Sequence, residues 1–166
     1  MKSRFIVSAL TVLLFLGGFS GRAMATWYVI HGTSGHIEDE ASVSFSRTGA
    51  GLDIKPQWVP STWVHFAVPT IGATTSGAQY ITLKFVINTA NDSHISRVRV
   101  YNGNLLVKAF PVSWSTLGYQ SKTLDLGSVR SFPRGMGISV EITAGPDSGI
   151  DEYLFVGAGA NFVPVP

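Results

Sequence analysis

The stretch Thr62-Trp-Val-His-Phe-Ala-Val-Pro69 decides how the rest of the chain is interpreted. Its residues alternate with the period of two that is typical of a β-strand. One face carries Thr62, Val64, Phe66 and Val68, and the other carries Trp63, His65 and Ala67. Because both faces hold bulky side chains, we expect a strand that is covered on both sides. Pro69 has no amide hydrogen and should end the pairing there.

Similar short alternating runs follow along the chain, separated by Gly, Asn, Asp and Pro. The clearest is Gln79–Asn88, whose apolar residues should face a core while its polar residues face water. The runs Ile95–Tyr101 and Leu105–Phe110 flank Asn102-Gly103, which is a strong signal for a tight hairpin. About nine such strands in one domain predict an all-β fold, a single antiparallel β-sandwich of jelly-roll-like topology.

Two other segments carry structural expectations. The sequence of Trp114 to Gln120 is interpreted as a loop or a short turn. Gly157-Ala158-Gly159-Ala160 lies in the last strand, Tyr153 to Val163, and small residues inside a strand indicate that another backbone or a bulky ring comes close.

The first 25 residues have the pattern of a signal peptide. Lys2 and Arg4 give a positive start, Phe5 to Phe19 is mostly apolar, and Ala23-Met24-Ala25 fits a cleavage site. An apolar run of this length is shorter than the roughly 20 residues that a membrane-spanning helix needs. The alternative is an uncleaved anchor. We therefore expect a secreted or periplasmic protein with one β-sandwich domain at residues 26–166 and no membrane span after cleavage.

Charge and cysteine content exclude several classes of function. The chain has 12 Lys+Arg and 10 Asp+Glu, and Lys2, Arg4 and Arg22 would leave with the signal peptide, so the mature net charge is 9 − 10 = −1. A protein that binds nucleic acid would be expected to carry a basic stripe, which this sequence lacks. The sequence has no cysteine, which excludes disulfides, thiol catalysis and thiolate metal sites.

Five short motifs resemble those of a family of uncharacterised small microbial proteins, a domain of unknown function. They are Trp-Tyr-Val-Ile-His-Gly at 27–32, Trp-Val-His-Phe-Ala-Val-Pro at 63–69, Val-Arg-Val-Tyr-Asn-Gly at 98–103, Gly-Ile-Ser-Val at 137–140 and Gly-Ala-Gly-Ala-Asn-Phe at 157–162. The resemblance covers nearly all of the mature chain. It implies a small β-sandwich and assigns no activity and no site residue.

Two histidines are candidate metal ligands. Trp27 with His31 and Trp63 with His65 repeat an indole and an imidazole on one strand face. If the two strands lie side by side, His31 and His65 could bind zinc or another transition metal together with Glu38, or with Asp39 or Glu40 (adjacent acids). The alternative is that each histidine packs beside its tryptophan and bonds to a neighbouring carbonyl.

Two acidic groups are candidate calcium ligands, because calcium prefers several oxygen ligands. The first is Glu38-Asp39-Glu40, and the second combines Asp147, Asp151 and Glu152. Their spacing matches no known ligand loop. The alternative is that these carboxylates are solvated loop charges.

Aromatic residues are the candidates for a carbohydrate-binding surface, since the apolar CH faces of sugars stack on such rings. They are Trp58, Trp63, Tyr101, Trp114 and Tyr119, and the sequence places Trp58, Trp114 and Tyr119 in loops. These three are therefore the predicted ligand-binding residues. The alternative is that they close the ends of the sandwich.

Catalytic motifs are absent from the sequence, which has no Gly-x-Ser-x-Gly. We therefore favour an exported, non-catalytic module that binds a glycan, another surface polymer or another protein. One alternative is a self-associating structural or adhesion subunit that uses the aromatic start at Trp27-Tyr28 and the apolar tail at 162–166. Another is a metal-dependent hydrolase that uses His31 and His65.

Overall fold

The protein folds as an all-β structure, as the alternating runs predict. The computed structural model describes residues 25–57, 60–70, 75–145 and 148–165. In these ranges the strands are β1 (Thr26–His31), β2 (His36–Ile37), β3 (Val43–Thr48), β4 (Gly51–Pro56), β5 (Ser61–Val68), β6 (Ser76–Thr89), β7 (His94–Asn102), β8 (Leu105–Trp114), β9 (Gly118–Ser131), β10 (Met136–Thr143) and β11 (Glu152–Pro164). The expectation of about nine strands is therefore slightly low. Among the described residues, no helix has the length and hydropathy to cross a membrane.

The strands form two antiparallel sheets, and the predicted sandwich is confirmed. The first sheet has the order β3-β4-β11-β6-β9, with β1 also paired to β11, and the second has the order β2-β5-β10-β7-β8. Successive strands alternate between the sheets except at β3–β4 and β7–β8, which gives the jelly-roll-like topology. The predicted signal peptide lies outside the described residues and stays a prediction.

Both sheets contribute apolar side chains to one core. Phe155 of β11 lies between Phe66 of β5 and Phe85 of β6, with ring centroids 5.8 and 6.3 Å apart. The predicted inner face of Gln79–Asn88 is confirmed, because Ile81, Leu83, Phe85 and Ile87 are buried. The core therefore joins residues from strands that are far apart in the sequence.

The expectation that β5 is covered on both faces is wrong. Val64, Phe66 and Val68 are buried, but Trp63 and His65 are only half-buried and Ala67 is exposed. The described residues form two layers, so the outer face of a central strand meets neighbouring side chains of its own sheet and water. β5 ends at Val68, before Pro69, as predicted.

The predicted hairpin joins β7 and β8, which are adjacent and antiparallel. Asn102 still pairs with Leu105, so the two turn residues are Gly103 and Asn104. Gly103 has a φ of +59°, whereas no non-glycine residue in the described part of the chain has a positive φ. This combination fits a turn with glycine at its first central position.

β11 is the central strand of the first sheet. β6 pairs with it along one edge, while β4 and β1 share the other edge. The first and last strands of the chain thus pair with each other, and the ring of Tyr28 packs edge-on against Phe162 at 5.9 Å. On that second edge β4 pairs with residues 153–155 and β1 with residues 157–162 of β11, and self-association stays a prediction.

Small residues in β11 allow β1 to come close, which confirms the sequence-based expectation for Gly157–Ala160. A Cβ atom built at Gly159 would overlap the carbonyl oxygen of Tyr28, and one built at Gly157 would lie 2.8 Å from the carbonyl oxygen of Ile30. The neighbour in both cases is backbone, which cannot turn aside as a flexible side chain can. Glycine is therefore required at these positions by the packing of β1.

Gly159→Ala should lower the free energy of unfolding by about 2–4 kcal/mol, because the added methyl group would displace β1. Gly49→Ala is the matched control: no atom lies within 4 Å of the added Cβ, and we expect a change within about 0.5 kcal/mol. Chemical denaturation of both variants measures the difference. Equal stability of the two variants would show that β1 is not held as described.

Candidate functional site

The two candidate metal-binding histidines lie in different sheets. His31 ends β1 in the first sheet, and His65 lies in β5 of the second. The premise that their strands lie side by side is therefore wrong. His31 Nδ1 lies 3.0 Å from the hydroxyl oxygen of Thr33 and accepts the backbone N–H of Thr33 at 3.3 Å. Among the described residues, no three His, Asp or Glu side chains are grouped in a way that could hold a metal ion.

The acidic run Glu38-Asp39-Glu40 has structural contacts. The backbone N–H of Glu38 donates to the carbonyl of Trp63 at 3.0 Å. Asp39 accepts hydrogen bonds from the backbone of Ala41 and the hydroxyl of Ser42. These contacts hold the segment against β5 and leave the Glu38 side chain facing the outer side of the second sheet. Glu40 pairs with an arginine at 3.4 Å.

The second acidic group also closes loops. Asp151 is buried and accepts the backbone N–H groups of Asn91 (2.7 Å) and Ser93 (3.1 Å). Glu152 bonds to Lys55 at 3.3 Å and to an asparagine. Asp147 lies outside the described residues. The two described carboxylates therefore connect backbone and side chains within the protein.

The predicted aromatic ligand-binding residues fall in different environments. Trp58 lies outside the described residues. Trp114 is the last residue of β8, and its ring stacks on Phe85 with centroids 5.6 Å apart. Tyr119 is in β9 and is 60% exposed. The interpretation of Trp114 to Gln120 as a loop is wrong at both ends, because the edge strands extend to Trp114 and begin again at Gly118.

The outer face of the second sheet brings together polar and aromatic side chains from three central strands. Antiparallel pairing aligns His65 of β5 with Ser139 of β10 and Arg99 of β7 in one row. The next row aligns Ala67 with Gly137 and Tyr101. Within each row the residues are at least 34 positions apart in the chain, so only the register makes them neighbours.

A groove lies over the second of these rows and has a volume of about 480 Å³. We call it the Gly137 groove, and its lining residues are His65, Phe66, Ala67, Tyr101, Gly103, Asn104, Arg134, Gly135, Met136, Gly137 and Ser139. A smaller recess of about 100 Å³ adjoins it, since His65, Tyr101 and Ser139 line both. The recess is completed by Glu38, Trp63 and Arg99.

Hydrogen bonds and ring contacts fix the side chains of this face. His65 Nδ1 lies 2.8 Å from the hydroxyl oxygen of the buried Ser139. The guanidinium group of Arg99 lies 4.6 Å above the ring of Trp63, a cation–π contact. These contacts place the imidazole, guanidinium and indole groups in set positions.

The protonation of His65 follows from its surroundings. Burial lowers the pKa of His65 from its ordinary value of 6.5, the negative charge of Glu38 opposes this shift, and His36 adds to it. His36 is the cross-strand partner of His65 in β2. At neutral pH the imidazole is therefore neutral, so it can both donate and accept a hydrogen bond.

Sequence reasoning named Trp63, His65, Arg99 and Tyr101 but did not bring them together. The signal in the sequence was the set of residues that face outward from each alternating strand. Two such residues, spaced two apart, come from each strand: Trp63 and His65, Arg99 and Tyr101, and Gly137 and Ser139. Without the pairing register these pairs cannot be placed on one surface.

No protein-family model matches the sequence, and no curated protein matches it. The resemblance to the family of small microbial β-sandwich proteins therefore stays a prediction.

Several solved structures that match the fold are carbohydrate-binding modules. One is the CBM36-1 domain of a xylanase from the hindgut metagenome of Trinervitermes trinervoides (13% identity, TM-score 0.47, 81% of this chain and 96% of that one). A second is CBM29_1 from Piromyces equi (12%, 0.46, 82% and 90%). A third is TmCBM61, solved with β-1,4-galactotriose (11%, 0.48, 81% and 90%).

His65 should make the fold less stable as the pH falls. The unfolded chain takes up a proton near pH 6.5, whereas the folded protein resists protonation until a lower pH, so stability is lost below that value. His65→Gln removes this titration and should give a shallower decline of the melting temperature between about pH 7 and pH 5. Differential scanning calorimetry at several pH values measures it. Parallel profiles for the two proteins would refute the prediction.

Proposed function

We propose that the protein is an exported, non-catalytic carbohydrate-binding module that holds a glycan in the Gly137 groove. An open groove of this size on a rigid sheet fits a few sugar rings of a polymer. Export is supported by the sequence of residues 1–25, which has the pattern of a signal peptide. The groove residues come from strands and two short turns, so the surface is preformed.

The proposal depends mainly on one observation, the presence of glycine at position 137 in the floor of the groove. A Cβ atom at this position would have one atom within 4 Å, the Cβ of Tyr101 at 3.7 Å, which is an ordinary contact. The φ of Gly137 is not positive. Neither packing nor backbone geometry requires glycine here, although glycine inside a strand costs about 0.5–1 kcal/mol relative to alanine. The missing side chain keeps the groove open, and we attribute it to a ligand.

The lining supplies the two kinds of contact that sugars need. The Tyr101 ring and the methyl group of Ala67 offer apolar surface for the CH face of a pyranose. His65, Asn104 and Ser139 offer donors and acceptors for hydroxyl groups. No carboxylate lies among the described lining residues, so the groove does not supply the pair of carboxyl groups that glycoside hydrolysis commonly uses. This combination favours binding without catalysis.

Gly137→Val should fill the groove and abolish glycan binding while the fold is kept. The free energy of unfolding should stay the same or rise by up to about 1 kcal/mol, since valine suits a strand better than glycine does. Affinity electrophoresis in gels that contain soluble polysaccharides, together with a glycan array, measures the binding, and thermal unfolding measures the stability. A variant that binds as well as the wild type would show that the groove is not the site.

Tyr101→Ala should weaken glycan binding by about tenfold or more, because aromatic anchors in a binding site often contribute more than about 1 kcal/mol. Tyr119→Ala is the control: it removes the same type of ring from β9 in the other sheet, where the ring is more exposed than that of Tyr101, and binding should not change. Isothermal titration against the best polysaccharide measures both. Loss of binding in Tyr119→Ala alone would instead place the site near Trp114 and Tyr119, as the sequence predicted.

A further inference from the structure

Three arginines contribute to the outer face of the second sheet or to its rim, and two of them have nearby partners. Arg97 Nε lies 3.7 Å from a carboxylate oxygen of Glu141. Arg99 covers the ring of Trp63 and shares the smaller recess with Glu38. Arg97 therefore has an ion pair, and Arg99 has an aromatic ring and a carboxylate in the recess that it lines.

Arg134 differs, because no carboxylate lines the groove beside it. Among the described residues, no Asp or Glu oxygen lies within 4.0 Å of its guanidinium group. Its backbone is held in place: the Arg134 N–H donates to Asn102 Oδ1 at 2.9 Å, and the Gly103 N–H donates to the Gly135 carbonyl at 2.8 Å. The groove thus ends at an exposed cation carried by a fixed turn.

We propose that the glycan of the Gly137 groove is acidic, and that Arg134 binds its carboxylate or sulfate ester. The inference rests on the proposed function and specifies the ligand class of the same site. A planar guanidinium group can make two parallel hydrogen bonds to either anion. The chain beyond residue 25 has a net charge of −1, so attraction to an acidic polymer would come from this turn rather than from a generally positive surface.

Matched polymers test the proposal by changing only the anionic groups. Polygalacturonate and hyaluronan are compared with their carboxyl-reduced forms, and dextran sulfate is compared with dextran, by affinity electrophoresis and isothermal titration of the wild-type protein. We expect binding to at least one acidic polymer, little or none to its neutral form, and weaker binding as sodium chloride is raised. Preference among the acidic polymers distinguishes a carboxylate from a sulfate ester.

Variants assign the anion to Arg134. Arg134→Gln should bind the acidic polymer about tenfold less tightly, and Arg134→Lys should fall between the two because it keeps the charge without the planar fork. Arg130→Gln is the control, since it makes the same change of net charge on β9 of the other sheet. Both positions are exposed, so the variants should fold, which circular dichroism can verify.

The outcomes separate the two proposals. Equal binding of an acidic polymer and its neutral form would overturn the acidic ligand and leave glycan binding in place. Equal loss of affinity in Arg134→Gln and Arg130→Gln would overturn the assignment of the anion to Arg134. Binding of neutral polymers but not of acidic ones would also overturn the acidic ligand and leave glycan binding in place. If the wild type binds no polymer of either kind and no glycan on an array, both the acidic ligand and the proposed function are wrong.

Discussion

The rest of the structure depends on how closely the backbones of neighbouring segments approach β11. Cβ atoms at Gly32 and Gly51 would overlap the carbonyl oxygen of Phe155, and one at Gly159 would overlap that of Tyr28. These missing side chains let β4 and β1 share one edge of β11 while β6 takes the other. Phe155 then reaches the centre of the core, where it contacts a phenylalanine from each sheet.

The position of the groove follows from this arrangement. The inner faces of β5, β7 and β10 pack against the first sheet. Their outer faces are therefore left at the surface, where the groove lies. Antiparallel pairing then places Ala67, Gly137 and Tyr101 in one row and the larger side chains of the neighbouring row beside them. A depression results where the two smallest residues meet, and the turn that follows Phe132 closes one end of it.

Much of the fold could be predicted from the sequence, because strand formation depends on local alternation of apolar and polar residues. Local sequence also predicts the hairpin at Gly103 and the close contact at Gly157–Ala160. The site could not be predicted, since His65, Arg99 and Gly137 meet through a register that no single segment encodes. Trp114 was misassigned for a related reason: it ends an edge strand, and only the facing sheet provides Phe85 as its stacking partner.

A comparison of Gly159 in the first sheet with Gly137 in the second distinguishes a glycine that packing requires from one that it does not. Gly159 has a backbone oxygen in the place of its absent side chain, so the fold alone explains it. Gly137 has open space there, with Tyr101 at van der Waals distance and no unusual φ. Both glycines lie inside strands of the structure, and both cost conformational entropy. Only the second lacks a structural cause, and a bound ligand would give it a functional one.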